Sequence, residues 1–278
     1  MYIITLSYLL LSEMLKNDTI NKILNDNINK KGFTKFTDVQ NLVIDEKNVG
    51  RDLLVSSQTG SGKTLAYSLS ISDEILIAKG KDPSTPSGLI ITPTRELALQ
   101  VYQEIQWLFE KTDLTAVTSI GGMDINKERA KLKRKFNLLI GTPGRINDHL
   151  RKKYLNLSKL SVLVLDEADE MLDLGFKEDL DKIIQSSPEN SRKLLFSATL
   201  PKKIISLANK YQKNPKRIEV SNQNVPHKDI SYESYFINKK DTENAIFNLL
   251  RYYDDKNVLI FCSTRSSVTH IHSRLLNR

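Results

Sequence analysis

The stretch Ser57-Gln58-Thr59-Gly60-Ser61-Gly62-Lys63-Thr64 constrains the fold of this chain more than any other. Before it runs Asp52-Leu53-Leu54-Val55, a short apolar strand. After it Leu65, Ala66 and Leu69 recur at helical spacing, so the glycine-rich turn joins a strand to a helix. In that context the turn reads as a phosphate cradle. Gly60 and Gly62 let the backbone bend towards a polyphosphate, and the free N–H groups and helix dipole favour the anion. Lys63 is placed to meet β/γ oxygens, and the Thr64 hydroxyl suits Mg²⁺. The general pattern asks for glycine where this chain has Ser57, which is still small but carries a side chain.

A cradle of this kind belongs to an α/β sheet, and the chain around it alternates accordingly. Apolar strand candidates are Leu53 to Ser56, Leu89 to Thr92, Ala116 to Ile120, Phe136 to Ile140, Val162 to Leu165, Leu194 to Phe196 and Ile218 to Val220. Helical patterns lie between them, clearest in Leu97, Val101, Ile105 and Leu108. The alternation predicts a mostly parallel sheet with helices on both faces and ligands at the carboxyl ends of the strands. With 278 residues and 40% hydrophobic content, there is enough chain for one well-buried domain and a remainder, or for two small domains. A net charge of +8 suits a polyanionic partner without requiring one. The single cysteine, Cys262, excludes an internal disulfide framework and fits a reducing, cytoplasmic setting; its apolar surroundings predict a core position.

The amino terminus, Met1 to Leu11, is nearly all apolar. It is too short to span a bilayer and lacks the basic leader and cleavage site of a secretory signal, so no membrane partner is expected. It reads as a docking helix or a misassigned start. Leu15 to Lys31 carries Ile20, Ile23, Leu24 and Ile28 at helical spacing and ends at Gly32.

The second chemical feature is Val164-Leu165-Asp166-Glu167-Ala168-Asp169, a buried strand running into three carboxylates. Asp166 can hold Mg²⁺ on phosphates through water. Glu167 can accept a proton from an attacking water, a role worth about 10²- to 10⁴-fold in rate. The alternative is a plain helix start, where acids favour the first turn.

At Asp166-Glu167-Ala168-Asp169 the sequence resembles the DEAD-box RNA helicases. The resemblance extends along the chain through Gly32-Phe33, Thr37 and Gln40, Ser57 to Thr64, Pro93-Thr94-Arg95-Glu96-Leu97-Ala98, Gly121-Gly122, Thr142-Pro143-Gly144-Arg145 and Ser197-Ala198-Thr199. The family commonly has alanine at the Ser57 position, so the absent glycine agrees with it. The resemblance implies a RecA-like P-loop NTPase fold, ATP with Mg²⁺, and RNA held as a single strand or short duplex by its backbone. By position it implies that Thr37, Gln40 and Ser57 to Thr64 bind ATP, Gln40 reading the adenine edge. Lys63, Asp166 and Glu167 would be catalytic, with Thr64 and Asp166 serving the metal. Pro93, Thr94, Arg95, Glu96, Gly121, Gly122, Thr142, Pro143, Gly144 and Arg145 would grip RNA, while Asp169, Ser197 and Thr199 would couple hydrolysis to strand separation. Loop N–H groups, a hydroxyl and an arginine suit phosphate contacts, which position a strand without reading its sequence. Without the resemblance these loops would be ordinary turn chemistry.

Two positions depart from the family pattern. Leu15 stands where an aromatic usually covers adenine, and Phe36 stands where proline is usual; Tyr2 or Tyr8 could supply a ring if the start folds back. The larger departure follows Lys202 to Arg217, a basic run without an acid, and the polar stretch Ser221 to Lys228. The expected organisation is an extension and helix over 1–31, a RecA-like ATP-binding domain over 32–220 with its Q motif at 32–40, a linker over 221–228 and the opening of a second RecA-like domain over 229–278. In that last part a strand is expected around Tyr232 to Ile237, a helix through Asp241 to Arg251, and a strand over Val258 to Cys262 followed by Ser263-Thr264-Arg265. A complete second domain would need on the order of 100 further residues. Arg265, Arg274 and Arg278 lack the context of the family's paired arginines, a device typically worth about 10³- to 10⁵-fold in rate. Residues 229–278 alone are expected to be partly disordered, aggregation-prone or completed by a protein partner or second copy. Three readings follow: an ATP-dependent RNA helicase, a truncated nucleotide-dependent RNA-binding module with little turnover, and, less favoured by the motif spellings, a P-loop ATPase acting on DNA.

Overall fold

The computed structural model describes residues 18–76, 83–220, 231 and 233–276, with side chains from residue 22. The apolar start, Leu15, Tyr2 and Tyr8, and the 221–228 linker lie outside the described residues. The chain divides into two units, Met1–Gln223 and Asn224–Arg278.

The first unit is built on seven strands: β1 (Leu53–Ser56), β2 (Gly88–Ile91), β3 (Ala116–Ser119), β4 (Leu138–Gly141), β5 (Val162–Leu165), β6 (Arg192–Ser197) and β7 (Lys216–Glu219). They pair in the order β3-β4-β2-β5-β6-β1-β7, every pair parallel. Each strand coincides with an expected one to within a few residues. A parallel sheet must be covered on both faces, and the strands alternate to do so. Leu53 and Val55 join Ile90, Val164, Leu194 and Phe196 in one core, which also takes Tyr67 and Leu69 from the helix Lys63–Ser70. Leu54, Leu89, Ile91, Leu163, Leu165 and Leu195 enter the opposite core, with Leu180 and Ile183 from the helix Lys177–Gln185.

The other helices follow their apolar spacing. Arg95–Leu108 is capped by the Thr94 hydroxyl and buries Ala98, Val101, Ile105 and Leu108, one stripe of a 3.6-residue period. Asp18–Lys30 buries Leu24 and Ile28, and Gly32 at φ +83° turns the chain out of it. At the opposite end from the strand carboxyl ends, buried Arg192 donates to the carbonyls of Asn48, Arg51 and Ser70, to the Ser70 hydroxyl and to Glu74. That network fixes the start of β6 beneath β1.

The second unit contains the helices Thr242–Tyr252 and Arg265–Leu276 and a short 3₁₀ turn over Lys239–Asp241. The first helix agrees with the sequence. The two expected strands do not form: described residues 233–238 and 257–262 have no strand pairing. Apolar, β-prone residues become a strand only when their N–H and C=O groups find a partner, and none of the described residues offers one. Phe236, Leu259 and Phe261 are accordingly exposed, and Cys262 is half-buried rather than in a core. No helix among the described residues is long and apolar enough to cross a membrane.

Candidate functional site

Because every strand runs the same way, the ends of β1, β5 and β6 open on one edge of the sheet, and the expected site residues follow them directly. After β1 the turn reaches Gly62 at φ +90°, where the helix begins. A Cβ at Gly62 would lie 2.3 Å from Nε2 of Gln40, so both the left-handed backbone and the close approach demand glycine. Lys63 is buried and folds back, its Nζ donating to the Ser57 carbonyl at 3.3 Å. Ser61 donates from Oγ to Ser57 Oγ at 3.1 Å, which gives the small side chain at position 57 a use. Gln58, Thr59 and Gly60 form the exposed crest of the turn.

Thr37 and Gln40 grip this turn from below. They form a capping box on the helix Asp38–Val43, the Gln40 Oε1 accepting from the Thr37 N–H at 2.9 Å. The same two side chains then reach the cradle: Thr37 Oγ1 donates to the Ser61 carbonyl at 2.8 Å and Gln40 Nε2 to the Gly62 carbonyl at 3.2 Å. Both ends of the Gln40 amide are thereby engaged, so an adenine edge read by Gln40 would have to exchange for one of these bonds.

After β5, Asp166 is 2% exposed. Its Oδ2 accepts from the Tyr67 hydroxyl at 3.0 Å, and its Oδ1 is buried with no protein partner. Burial pushes the carboxyl up to about 6, against the pull of Lys63 and the Tyr67 hydrogen bond. Burial and Asp166 together push the Tyr67 phenol well above its ordinary range, while the Thr64 hydroxyl, also bonded to Tyr67, pulls it down. An orphaned, buried carboxylate oxygen within the field of Lys63 is the setting a nucleotide-bound divalent ion fits. No group of three His, Cys, Asp or Glu among the described residues could hold an ion unaided.

Glu167 takes φ +53°, a left-handed conformation uncommon outside glycine, which turns the chain sharply from β5 into the helix Ala168–Asp173. Glu170, one turn on, is hydrogen-bonded to Glu167; that bond, followed by burial and the neighbouring charges of Glu167 and Asp169, raises its carboxyl to about 7. Sequence reasoning missed Glu170, although its i+3 spacing from Glu167 was the available signal. Asp169 reaches the end of β6, accepting from Thr199 N at 3.1 Å, Thr199 Oγ1 at 2.9 Å and Ala198 N at 3.4 Å. Burial would raise its carboxyl, but the Thr199 and Ser197 hydrogen bonds outweigh it and hold the group below its usual value. Ser197 Oγ donates to the Thr199 carbonyl at 2.6 Å. The acid-bearing turn and the Ser-Ala-Thr turn are therefore one hydrogen-bonded body.

The expected RNA-grip residues gather after β2, β3 and β4. Thr92 Oγ1 donates to the Thr94 carbonyl at 3.1 Å, Pro93 is buried and Arg95 and Glu96 are exposed at the start of their helix. Gly121 N donates to Thr142 Oγ1 at 3.3 Å, and Pro143 opens the helix Pro143–Arg151. A Cβ at Gly144 would meet open space. Arg145 is tied down: Nη1 meets Glu128 at 2.9 Å and Nη2 donates to the Met123 carbonyl at 2.9 Å. Glu128 also accepts from Ile120 N at 3.0 Å and pairs at 2.8 Å with Nε2 of the fully buried His149. Burial alone would raise the Glu128 carboxyl; His149, Ile120 and Arg145 together hold it below its usual value. This clamp was not foreseen, and its one sequence signal is the i, i+4 spacing of Arg145 and His149.

The DEAD/DEAH box helicase family model matches residues 37–207. The DEAD-box ATP-dependent RNA helicase RhpA of Helicobacter pylori is 36% identical over 247 residues, which cover 89% of this chain and 49% of that protein. The ATP-dependent RNA helicase DbpA of Bacillus subtilis is 36% identical over 244 residues, 88% of this chain and 50% of that protein. The chain spans about half the length of the curated relatives it matches. Among solved structures, a DEAD box protein from the hyperthermophile Methanococcus jannaschii superposes with a TM-score of 0.65 at 34% identity, covering 91% of this chain and 67% of that one.

Proposed function

Since this chain belongs to the DEAD/DEAH box helicase family, we propose that it binds ATP with Mg²⁺ in the cradle of Ser57 to Thr64, grips RNA by its backbone, and hydrolyses ATP to separate short duplexes. The observation that carries this reading is the buried Asp166 Oδ1, which has no hydrogen-bond partner and lies within the field of Lys63.

In this reading Lys63 would leave the Ser57 carbonyl for the phosphates, and Thr64 and Asp166 would hold Mg²⁺. When bound, the ion supplies charge neutralisation on the phosphate oxygens. Glu167 takes a proton from water as the water oxygen bonds to the terminal phosphorus and the bond from that phosphorus to the ADP oxygen breaks. The bond between Asp169 and Thr199 gives this step a mechanical route to the end of β6. Arg95 and the N–H groups of the Gly121-Gly122 and Gly144 turns offer phosphate contacts, with Arg145 holding the turns in register through Glu128 and Met123. A cytoplasmic location belongs to the same reading, supported by the single cysteine.

A second reading, a nucleotide-dependent RNA-binding module with little turnover, is favoured by the exposed apolar residues of the second unit. ATP hydrolysis with and without single-stranded RNA, against Glu167→Gln as the blank, separates the two. RNA-stimulated turnover that disappears in the blank is expected of the enzyme; turnover at the blank's level with RNA and ATP both bound supports the module.

A further inference from the structure

Beside the grip loops, a cleft of about 490 Å³ opens along β3, the last strand on that side of the sheet. Its floor is apolar, including Leu99, Tyr102, Val117 and Met123, and its rim is cationic: Arg95, Lys131, Arg134 and Lys135, with no acid lining it. Leu99 and Met123 are 38% and 45% exposed, so the floor is open to solvent.

The charge here is not locally balanced. From Asp124 to Phe136 the chain carries Lys127, Arg129, Lys131, Lys133, Arg134 and Lys135 against two acids. Both acids are spent: Asp124 caps the helix Ile125–Leu132, and Glu128 turns inward to Arg145 and His149. None of Lys131, Arg134 and Lys135 forms an ion pair among the described residues. Three uncompensated cations around an exposed apolar floor combine a rail for phosphates with a surface for bases, the pairing that sequence-tolerant single-strand binding uses.

The cleft is also continuous with the grip. Arg95 belongs to both, its Nη2 lying 3.5 Å from Met123 Sδ and its Nη1 3.1 Å from where a Cβ at Gly122 would be. We propose that this cleft is a further RNA subsite. It takes the single-stranded nucleotides that run beyond the segment held by the grip loops, with phosphates on Lys131, Arg134 and Lys135 and bases against Leu99, Tyr102 and Met123. The proposal rests on the RNA-gripping reading above.

The test is binding of a ladder of oligouridylates, lengthened one nucleotide at a time, to the full chain and to its Lys131→Ala/Arg134→Ala/Lys135→Ala variant. The three side chains are exposed, so the variant keeps the fold. The expected result is equal binding of the shortest RNA that the unaltered chain holds, and loss in the variant once the ladder passes a threshold length. For the longer RNAs the slope of log affinity against log salt becomes shallower by roughly 2, at about 0.7 per phosphate contact. A 4-thiouridine in the extension should crosslink to Tyr102 or Met123 in the unaltered chain. Equal loss at every length would reduce the rim to a diffuse field and overturn the subsite. Unchanged binding at every length would overturn it in favour of a protein partner on the β3 edge. If the unaltered chain binds no RNA at all, the gripping reading fails and the proposal with it, an outcome distinguishable from the other two.

Discussion

Both units of this chain contain the same small device, a glutamate held by a histidine and an arginine four residues apart. In the sheet unit Glu128 meets Arg145 at 2.9 Å and His149 at 2.8 Å, with His149 fully buried. In the second unit Glu243 meets His270 at 2.6 Å and Arg274 at 3.0 Å, with the His270 side chain 59% exposed. Both glutamates are held below their usual pKa, Glu128 against the upward push of burial and Glu243 first by its His270 hydrogen bond. The chemistry is shared and the surroundings are not. Around Glu128 the acid also carries the Ile120 N–H and ties the turns after β3 and β4 together, so its removal strands buried donors. Around Glu243 water can replace every bond. The two devices show that a motif's worth is set by what encloses it, and the same contrast runs through both units: Phe196 is fully buried between β1 and Tyr67, whereas Phe261 is 88% exposed.

The largest expected effect sharpens that contrast directly. Phe196→Ala should lower unfolding stability by about 3–5 kcal/mol in a urea titration, while Phe261→Ala stays within about 0.5 kcal/mol. Matching losses at the two positions would mean that the second unit has a core of its own. Next, Glu128→Ala should cost on the order of 3 kcal/mol by leaving Arg145 and His149 buried without their partner, and Glu243→Ala should leave the urea midpoint where it is.

Asp166→Asn is expected to move stability the other way. An acid whose folded pKa is raised from 3.8 to about 6 carries no penalty below its unfolded value and the full penalty above its folded one. The asparagine variant should therefore be more stable than the parent above pH 6, by on the order of 3 kcal/mol, with the gain fading as the pH falls towards 4. Equal stability of the two across that range would show that Asp166 is not enclosed as described.

The smallest effects are in pH and salt. A carboxyl held below its usual value contributes stability above that value and loses it as the pH falls through the folded value. The difference between the parent and Glu128→Gln should thus be constant at neutral pH and shrink on acidification below about 4.5. In an NMR pH titration, high salt should return Glu243 towards its ordinary value and leave the lowered titration of Glu128 in place. Equal salt sensitivity would erase the distinction drawn between the two devices.

Much of the sheet unit was legible in the sequence because its central strands β1, β2, β4 and β5 are short, apolar on both faces and bounded by turn residues, as a buried parallel strand must be. The candidate site residues were legible for a related reason: they sit within a few residues of strand ends, so Ser57 to Thr64, Asp166 to Asp169 and Ser197 to Thr199 each form one local string. What stayed hidden depends on pairing across the chain. Nothing in the spacing of Gln40 announces its bond to the Gly62 carbonyl, and Glu128 looks like a solvated acid in a basic helix until Arg145 and His149 are brought over it. The same limit explains the failed strands. Val258 to Cys262 has the composition of a strand, but composition records an apolar preference and not the presence of a neighbour to bond.

In the proposed function the glycine turn and the buried Asp166 form one site for a magnesium-bound nucleotide. Thermal unfolding of the full chain and of Asp166→Asn, each with ATP in the presence and absence of Mg²⁺, tests it most directly. ATP with Mg²⁺ should stabilise the parent by about 2.7 kcal/mol when the nucleotide is 100-fold above its Kd. Most of this gain should disappear when Mg²⁺ is withheld, and in Asp166→Asn under either condition. A full gain without Mg²⁺, or an undiminished one in Asp166→Asn, would contradict it.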